Sequence, residues 1–169
     1  MAAWSAEIAN EFIRRAAAEN RALTQMQLQK LVYIAHGWNL AINGEKLTHD
    51  DPQAWDYGPV YRDLWEALRA YGRAPVTREI RNGEYLPGVL DDETAGAPAR
   101  ARLGEDEQAI IDRVYQNYGR FHAFKLSALT HEPDTPWTQV YGEGSGRFHE
   151  INPEKIRQYF LDLAARQAA

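Results

Sequence analysis

The chain has 169 residues, of which 44% are hydrophobic and 25% charged, values typical of one globular domain. Its longest stretch without a charged residue runs from Leu31 to Gly44, too short to span a bilayer, and it has no cysteines and no N-terminal secretion signal. We therefore expect a cytoplasmic protein with no membrane span, and the net charge of −5 argues against nucleic acid as its main partner.

Helical signals dominate the first third of the chain. Ser5 can cap a first helix that fades by Asn20. Thr24 and Gln27 then form a capping box for a longer helix, which Gly44 ends. Because this second helix is apolar on most sides, we expect it at the centre of the fold.

A short extended segment, residues 52–57, precedes a third predicted helix. Gly58 ends the segment. Pro59 suits the first helical position, because that position needs no backbone N–H and proline already has the required φ. Gly72 ends the third helix.

The strongest hairpin signal lies in residues 76–86, where Asn82-Gly83 separates two short apolar runs. Pro87 limits the second strand, so we expect one small exposed hairpin there and no larger sheet. Residues 91–102 are rich in Ala, Gly, Pro and charge, which predicts a loop.

Three more helices are expected in the last third: one beginning near Gly104, one over residues 121–130, and one capped by Asn152. Pro136 is expected to break the chain between the last two. No repeat or linker divides the sequence. Residues 1–169 therefore predict a single mainly α domain of about six helices with one small β-hairpin.

Candidate catalytic and metal-binding residues form no recognisable pattern. No two of the five histidines have the i, i+4 spacing of paired metal ligands on a helix. Ser145 lies in a glycine-rich stretch without the spacing of a nucleophile elbow or a phosphate loop. We predict no catalytic residues, no metal and no cofactor. A small hydrolase or nucleotide-binding enzyme that uses residues 130–150 is the alternative.

Four polar residues stand inside apolar runs: Lys30, Tyr57, Thr130 and His131. A buried polar group without a partner costs several kcal/mol, so these groups must be paired if they are buried. We expect Lys30, Tyr57 and His131 to meet at one helix junction, with acceptors from Tyr57 and from the end of the 121–130 helix. The set is either a network that fixes how helices meet or part of a recognition surface.

Aromatic residues are abundant, with five Trp and nine Tyr. Because aromatic anchors dominate interface energies, we expect a partner protein to bind at Trp55, Tyr57, Pro59, Tyr61 and Trp65. Replacing Tyr61 or Trp65 by alanine is then expected to weaken binding without unfolding the domain.

Three blocks of sequence also carry a family resemblance. They are TQMQLQKLVYIAHGW at residues 24–38, AWDYGPVY at residues 54–61, and LSALTH followed by PW within residues 126–137. Together, and in this order, they resemble the Panacea domain of SocA-like antitoxins, a family that includes GepA-like proteins of prophages. The resemblance implies a mostly helical, non-enzymatic antitoxin whose partner is a cognate toxin protein bound directly.

The same resemblance leaves an alternative open. In the SocA branch, neutralisation is linked to delivery of the toxin to a Clp protease, so this chain is alternatively a proteolytic adaptor with the Clp protease as a second partner. The resemblance does not identify the toxin.

Overall fold

The structure, a computed structural model, describes residues 2–85 and 93–168. Within these ranges the chain forms seven α-helices and one two-stranded antiparallel sheet. In chain order they are α1 (Ser5–Ala18), α2 (Gln25–Asn43), β1 (Gln53–Trp55), β2 (Gly58–Val60), α3 (Arg62–Leu68, continued by a 3₁₀ turn, Arg69–Tyr71), α4 (Glu105–Tyr118), α5 (Ala123–Thr130), α6 (Pro136–Tyr141) and α7 (Pro153–Ala168). This confirms a mainly α fold with one small hairpin. In the same ranges, no helix has the length and apolar character needed to cross a membrane.

Helix α2 lies at the centre of the domain, as expected. The Thr24 hydroxyl accepts from the Gln27 N–H at 3.3 Å, and the Gln27 side chain accepts from the Thr24 N–H at 2.9 Å, which completes the predicted capping box. Gly44 ends the helix in the left-handed conformation, with φ of 75°. Between these ends α2 contacts α1, α3, α4, α5, α7 and β2, so its side chains are buried on most sides.

Helix α7 packs across α2 where α2 lacks a side chain. The Phe160 ring lies against Gly37, where a Cβ atom would overlap it. The same ring makes edge contacts with Trp38 at 5.1 Å and with Tyr33 at 6.1 Å between centroids. Gly37 therefore sets how closely the two helices approach.

The sheet is formed by β1 and β2, with Ala54 opposite Pro59. The prediction that Pro59 begins a helix is wrong, because α3 begins at Arg62. The backbone of Ala54 makes its hydrogen bonds to residues 148 and 149 and not to Pro59. Its N–H donates to His149 O at 2.8 Å, and its carbonyl accepts from Phe148 N at 2.7 Å. Since Ala54 needs no donor from its partner in β2, the strand tolerates a proline there.

The hairpin predicted in residues 76–86 is absent from the part of this segment that the structure describes. Asn82-Gly83 does form a turn, but Arg81 makes an isolated bridge with Pro98, across the loop. Pro87, and the first two residues of the loop predicted over 91–102, lie outside the described residues.

The side chain of Asn10, in α1, holds this bridged segment to the core. Its Nδ2 donates to Ile80 O at 2.8 Å and to Ala99 O at 2.9 Å, and its Oδ1 accepts from Ile80 N at 2.7 Å. Ile80 O also accepts from Ala99 N at 2.9 Å, so a buried side chain and a distant backbone segment together satisfy the backbone groups of Ile80.

The break predicted at Pro136 is a helix start. Pro136 occupies the first position of α6, and the Thr135 hydroxyl caps the helix by accepting from Thr138 N at 3.3 Å. The proline therefore lies at a helix position that favours it.

Candidate protein-interaction site

Side chains from three helices bind the backbone of the hairpin and of the residue after it. They donate to the carbonyls of alternate residues: Trp137 Nε1 to Trp55 (2.7 Å), Ser127 Oγ to Tyr57 (3.1 Å), Lys30 Nζ to Pro59 (3.0 Å) and Gln29 Nε2 to Tyr61 (3.0 Å). We call Gln29, Lys30, Ser127 and Trp137 the clamp residues. They connect α2, α5 and α6 to one short stretch of chain.

Lys30 is the one clamp residue with a titratable cationic side chain, and it is buried, with 1% of its surface exposed. Burial lowers the pKa of Lys30 to about 7, because the ammonium form loses its hydration. The expected acceptor on Tyr57 is not used, since the Pro59 carbonyl accepts the bond. The Tyr57 side chain is 71% exposed. This residue takes part in the junction through its backbone carbonyl, which accepts from Ser127 Oγ.

Gly58 lies where three polar side chains converge. Its φ is +110°, and a Cβ atom would stand 2.7 Å from Thr130 Oγ1, 2.9 Å from Lys30 Nζ and 3.2 Å from His131 Cε1. The structure therefore brings Lys30, Thr130 and His131 together around this glycine. Only glycine fits both the conformation and the space.

Thr130 and His131 do not form a nucleophile and base. Thr130 Oγ1 and His131 Nδ1 each bond to Ser127 O at 2.7 Å. Because a carbonyl only accepts, Nδ1 must carry a proton and cannot take one from the hydroxyl 3.3 Å away. Within the described residues, no group of three His, Asp or Glu side chains could hold a metal ion.

Gln29 extends the pairing of β2 in the way that a neighbouring strand would. Its amide donates to Tyr61 O at 3.0 Å and accepts from Tyr61 N at 2.8 Å. Sequence reasoning missed Gln29, Ser127 and Trp137. The signal for Gln29 is a polar residue beside Lys30 inside an otherwise apolar helix.

Tyr61 and Pro59 are not available to a partner, contrary to the expectation of an exposed aromatic at Tyr61. Tyr61 is 0% exposed, and its hydroxyl accepts from Thr48 Oγ1 at 3.2 Å. Burial raises the pKa of Tyr61 well above its usual value. Pro59 is also buried, because β2 faces α2.

A second buried polar side chain, His36, lies next to Tyr61, with 6.4 Å between the two ring centroids. His36 Nδ1 accepts from Leu47 N at 3.2 Å and Thr48 N at 3.3 Å, so its proton lies on Nε2. Burial lowers the pKa of His36 to about 3, which keeps the ring neutral. The group fixes the chain that leads from α2 into β1.

The outer face of the hairpin carries aromatic side chains that are exposed or half-buried. Trp55 packs 5.4 Å from Trp65 and 5.3 Å from Phe148, between ring centroids, and Phe148 is 51% exposed. Tyr57, which is 71% exposed, lies in the turn between β1 and β2, two residues after Trp55. We call Trp55, Tyr57, Trp65 and Phe148 the aromatic surface.

Polar groups border this surface at the turn. Asp56 accepts from Arg147 at 2.7 Å and from the Tyr141 hydroxyl at 2.8 Å. The Arg147 guanidinium also lies 4.9 Å from the Phe148 ring centroid. An apolar centre with a polar rim is the usual composition of a protein interface.

Comparison with known proteins identifies the family. Residues 28–138 match the family described as Antitoxin SocA-like, Panacea domain. The chain is 30% identical over 139 residues to Antitoxin SocA of Caulobacter vibrioides (strain NA1000 / CB15N), a match that covers 82% of this chain and 70% of that protein. The chain belongs to the SocA-like antitoxin family. This confirms the resemblance found in the sequence blocks. No solved structure matches the chain significantly.

The region that matches the SocA-like family runs from the start of α2 into α6. It therefore contains the hairpin and all four clamp residues, whereas Phe148 lies beyond it. The clamped hairpin belongs to the family region of the chain.

Proposed function

We propose that this SocA-like domain is a non-enzymatic antitoxin that neutralises a cognate toxin in the cytoplasm by direct protein–protein binding. Membership of the family supports an antitoxin role and, in general, a toxin partner. The observation that carries direct binding is the exposed aromatic surface on a fixed turn. The Tyr57 ring is open to solvent, while its carbonyl is held by Ser127.

The physical reason is the energetics of aromatic anchors. Large aromatic side chains bury much apolar area at a small entropic cost, and a few of them supply most of the energy of an interface. Tyr57 is the anchor in this proposal, and the half-buried Trp55 and Trp65 flank it. The enzyme alternative gains no support from Thr130 and His131, which share one acceptor.

The antitoxin role is tested by co-expression with the reading frame adjacent to the chain's own gene. Growth inhibition by that frame, relieved by this chain in cells with and without Clp protease, supports neutralisation by binding. Relief that requires the protease identifies the chain as a proteolytic adaptor. No relief in either strain refutes the antitoxin proposal for that pair.

The contact surface is tested with the purified proteins by calorimetry. Tyr57→Ala should weaken affinity for the adjacent-frame protein by about tenfold or more. Ile42→Ala is the matched control, because Ile42 is an exposed apolar residue (59%) about 18 Å along α2 from Lys30. Equal affinities of the two variants would contradict the proposed surface.

A further inference from the structure

We infer that the clamp residues position the aromatic surface for toxin binding by holding the backbone of residues 55–61 in one conformation. The inference rests on the proposed function, because it concerns how the same surface meets its partner. The clamp residues Gln29, Lys30, Ser127 and Trp137 bond to backbone carbonyls and contribute no exposed anchor of their own. They are positioning residues in this inference, and Tyr57 is a contact residue.

The hairpin is too short to fix its own shape. Strands β1 and β2 share only three residue pairs within the described chain, and an isolated two-stranded hairpin is marginally stable in water. The outer edge of β1 bonds to the backbone of Phe148 and His149. The side of β2 that faces α2 has side-chain partners instead, Lys30 at Pro59 and Gln29 at Tyr61. The turn and β2 therefore depend on side chains for their conformation.

The Lys30 ammonium group packs directly against Gly58 at the centre of this arrangement. Pro59 has no N–H, so its carbonyl is the one backbone group that it can offer to α2. Lys30 Nζ reaches this carbonyl and occupies the space beside Gly58 that a Cβ would need. A methionine side chain is about as long as that of lysine and has no charged group whose hydration is lost on burial. The distinctive contribution of Lys30 at this position is therefore its hydrogen bond to Pro59 O.

Holding the turn in advance raises affinity for a partner. A flexible turn must be ordered on binding, and the apparent affinity falls by the fraction of molecules in the competent conformation. Loss of one buried hydrogen bond shifts such an equilibrium about fivefold to tenfold. Removing a clamp bond should therefore weaken toxin binding by up to that factor, because the affinity follows the fraction of molecules that keep the competent conformation, although no contact with the toxin is lost.

The experiment measures both the turn and the binding. Amide hydrogen exchange of residues 54–61 is recorded in the isolated chain, and affinity is measured for the adjacent-frame protein. Lys30→Met and Ser127→Ala should each increase exchange and measurably weaken affinity, by up to about fivefold to tenfold. Ser127→Thr, which keeps the hydroxyl, should restore both. Tyr57→Ala should weaken affinity while leaving exchange unchanged.

Asn10→Leu controls for a general loss of stability. Asn10 makes buried bonds to a different segment, so this variant should lower stability without changing the exchange of residues 54–61 or the affinity. Should Lys30→Met fail to fold, the Ser127 pair alone decides the outcome, since Ser127 is only partly buried. Wild-type affinity in Ser127→Ala, whether or not exchange increases, overturns the positioning role. Wild-type affinity in Tyr57→Ala overturns the contact surface instead.

Discussion

Replacing Gly58 by alanine tests the geometry at the centre of the site. Two costs combine. The first is conformational: a φ of +110° is sparsely populated by residues with a Cβ, and such strain costs about 1–3 kcal/mol. The second is steric, because the new methyl group would stand 2.7 Å from Thr130 Oγ1 and 2.9 Å from Lys30 Nζ.

These neighbours cannot move away freely. Lys30 Nζ is buried, and shifting it lengthens its 3.0 Å bond to Pro59 O, which leaves a buried donor and acceptor unpaired at about 1–3 kcal/mol. We therefore expect Gly58→Ala to lower the free energy of unfolding by about 2–6 kcal/mol. Domains of this kind have about 5–15 kcal/mol in total, so the loss is a large share.

The assay is urea denaturation followed by tryptophan fluorescence, with Gly44→Ala as the matched control. Gly44 also has a positive φ, +75°, but no heavy atom lies within 4 Å of its Cβ position. Its alanine variant therefore bears only the conformational cost, about 1–2 kcal/mol. If Gly58→Ala costs no more than Gly44→Ala, the packing argument at Gly58 is wrong.

A double-mutant cycle separates the two costs. Thr130→Ala removes the oxygen closest to the new methyl group, so the Gly58→Ala and Thr130→Ala changes together should cost less than their sum. Strict additivity would mean that Thr130 does not restrict the space at Gly58.

Three further predictions concern burial and packing. Tyr61→Ala should lower the free energy of unfolding by about 3–5 kcal/mol, because Tyr61 is fully buried. Tyr57→Ala should change it by less than about 0.5 kcal/mol, because Tyr57 is exposed. Equal losses of stability in urea denaturation would contradict the burial of these two residues. Burial lowers the pKa of Lys30 from 10.5 to about 7, so between these pH values the unfolded chain binds more protons than the folded chain. The free energy of unfolding should therefore rise from pH 7 to pH 9 by up to about 1.4 kcal/mol per pH unit. The same pH dependence in Lys30→Met would refute this. Gly37→Ala should destabilise the domain by about 1–3 kcal/mol despite its better helix propensity, and Phe160→Leu should reduce that cost, because the new Cβ overlaps the Phe160 ring.

Elements that depend on neighbouring residues could be predicted from the sequence. The capping box of Thr24 and Gln27 and the left-handed exit at Gly44 fix the ends of α2, and the structure has both. Gly104 likewise precedes α4. The signals at the ends of α2 work because each cap satisfies backbone groups within one turn of itself, so no distant residue is needed to interpret it.

Elements that depend on a distant partner could not be predicted in this way. Asn82-Gly83 favours a turn whatever the flanking residues pair with. Arg81, just before the turn, pairs with Pro98 and does not close a local hairpin. Pro59 has the φ of a helix start, yet it lies in a strand, which tolerates the proline because the backbone of Ala54 bonds to residues 148 and 149. In both cases the local preference allows two outcomes, and tertiary pairing selects one.

The candidate interaction site combines both kinds of information. Its polar members could be identified from the sequence, because Lys30, Thr130 and His131 stand inside apolar runs, and the family blocks around them identified an antitoxin family. Only the tertiary structure decided which groups they meet and which aromatics stay exposed. Every residue offers a carbonyl, so nothing in the sequence singles out that of Pro59. Tyr57 lies in the turn and is exposed to solvent. Residues 58–61 are buried, including Tyr61, because β2 packs against α2.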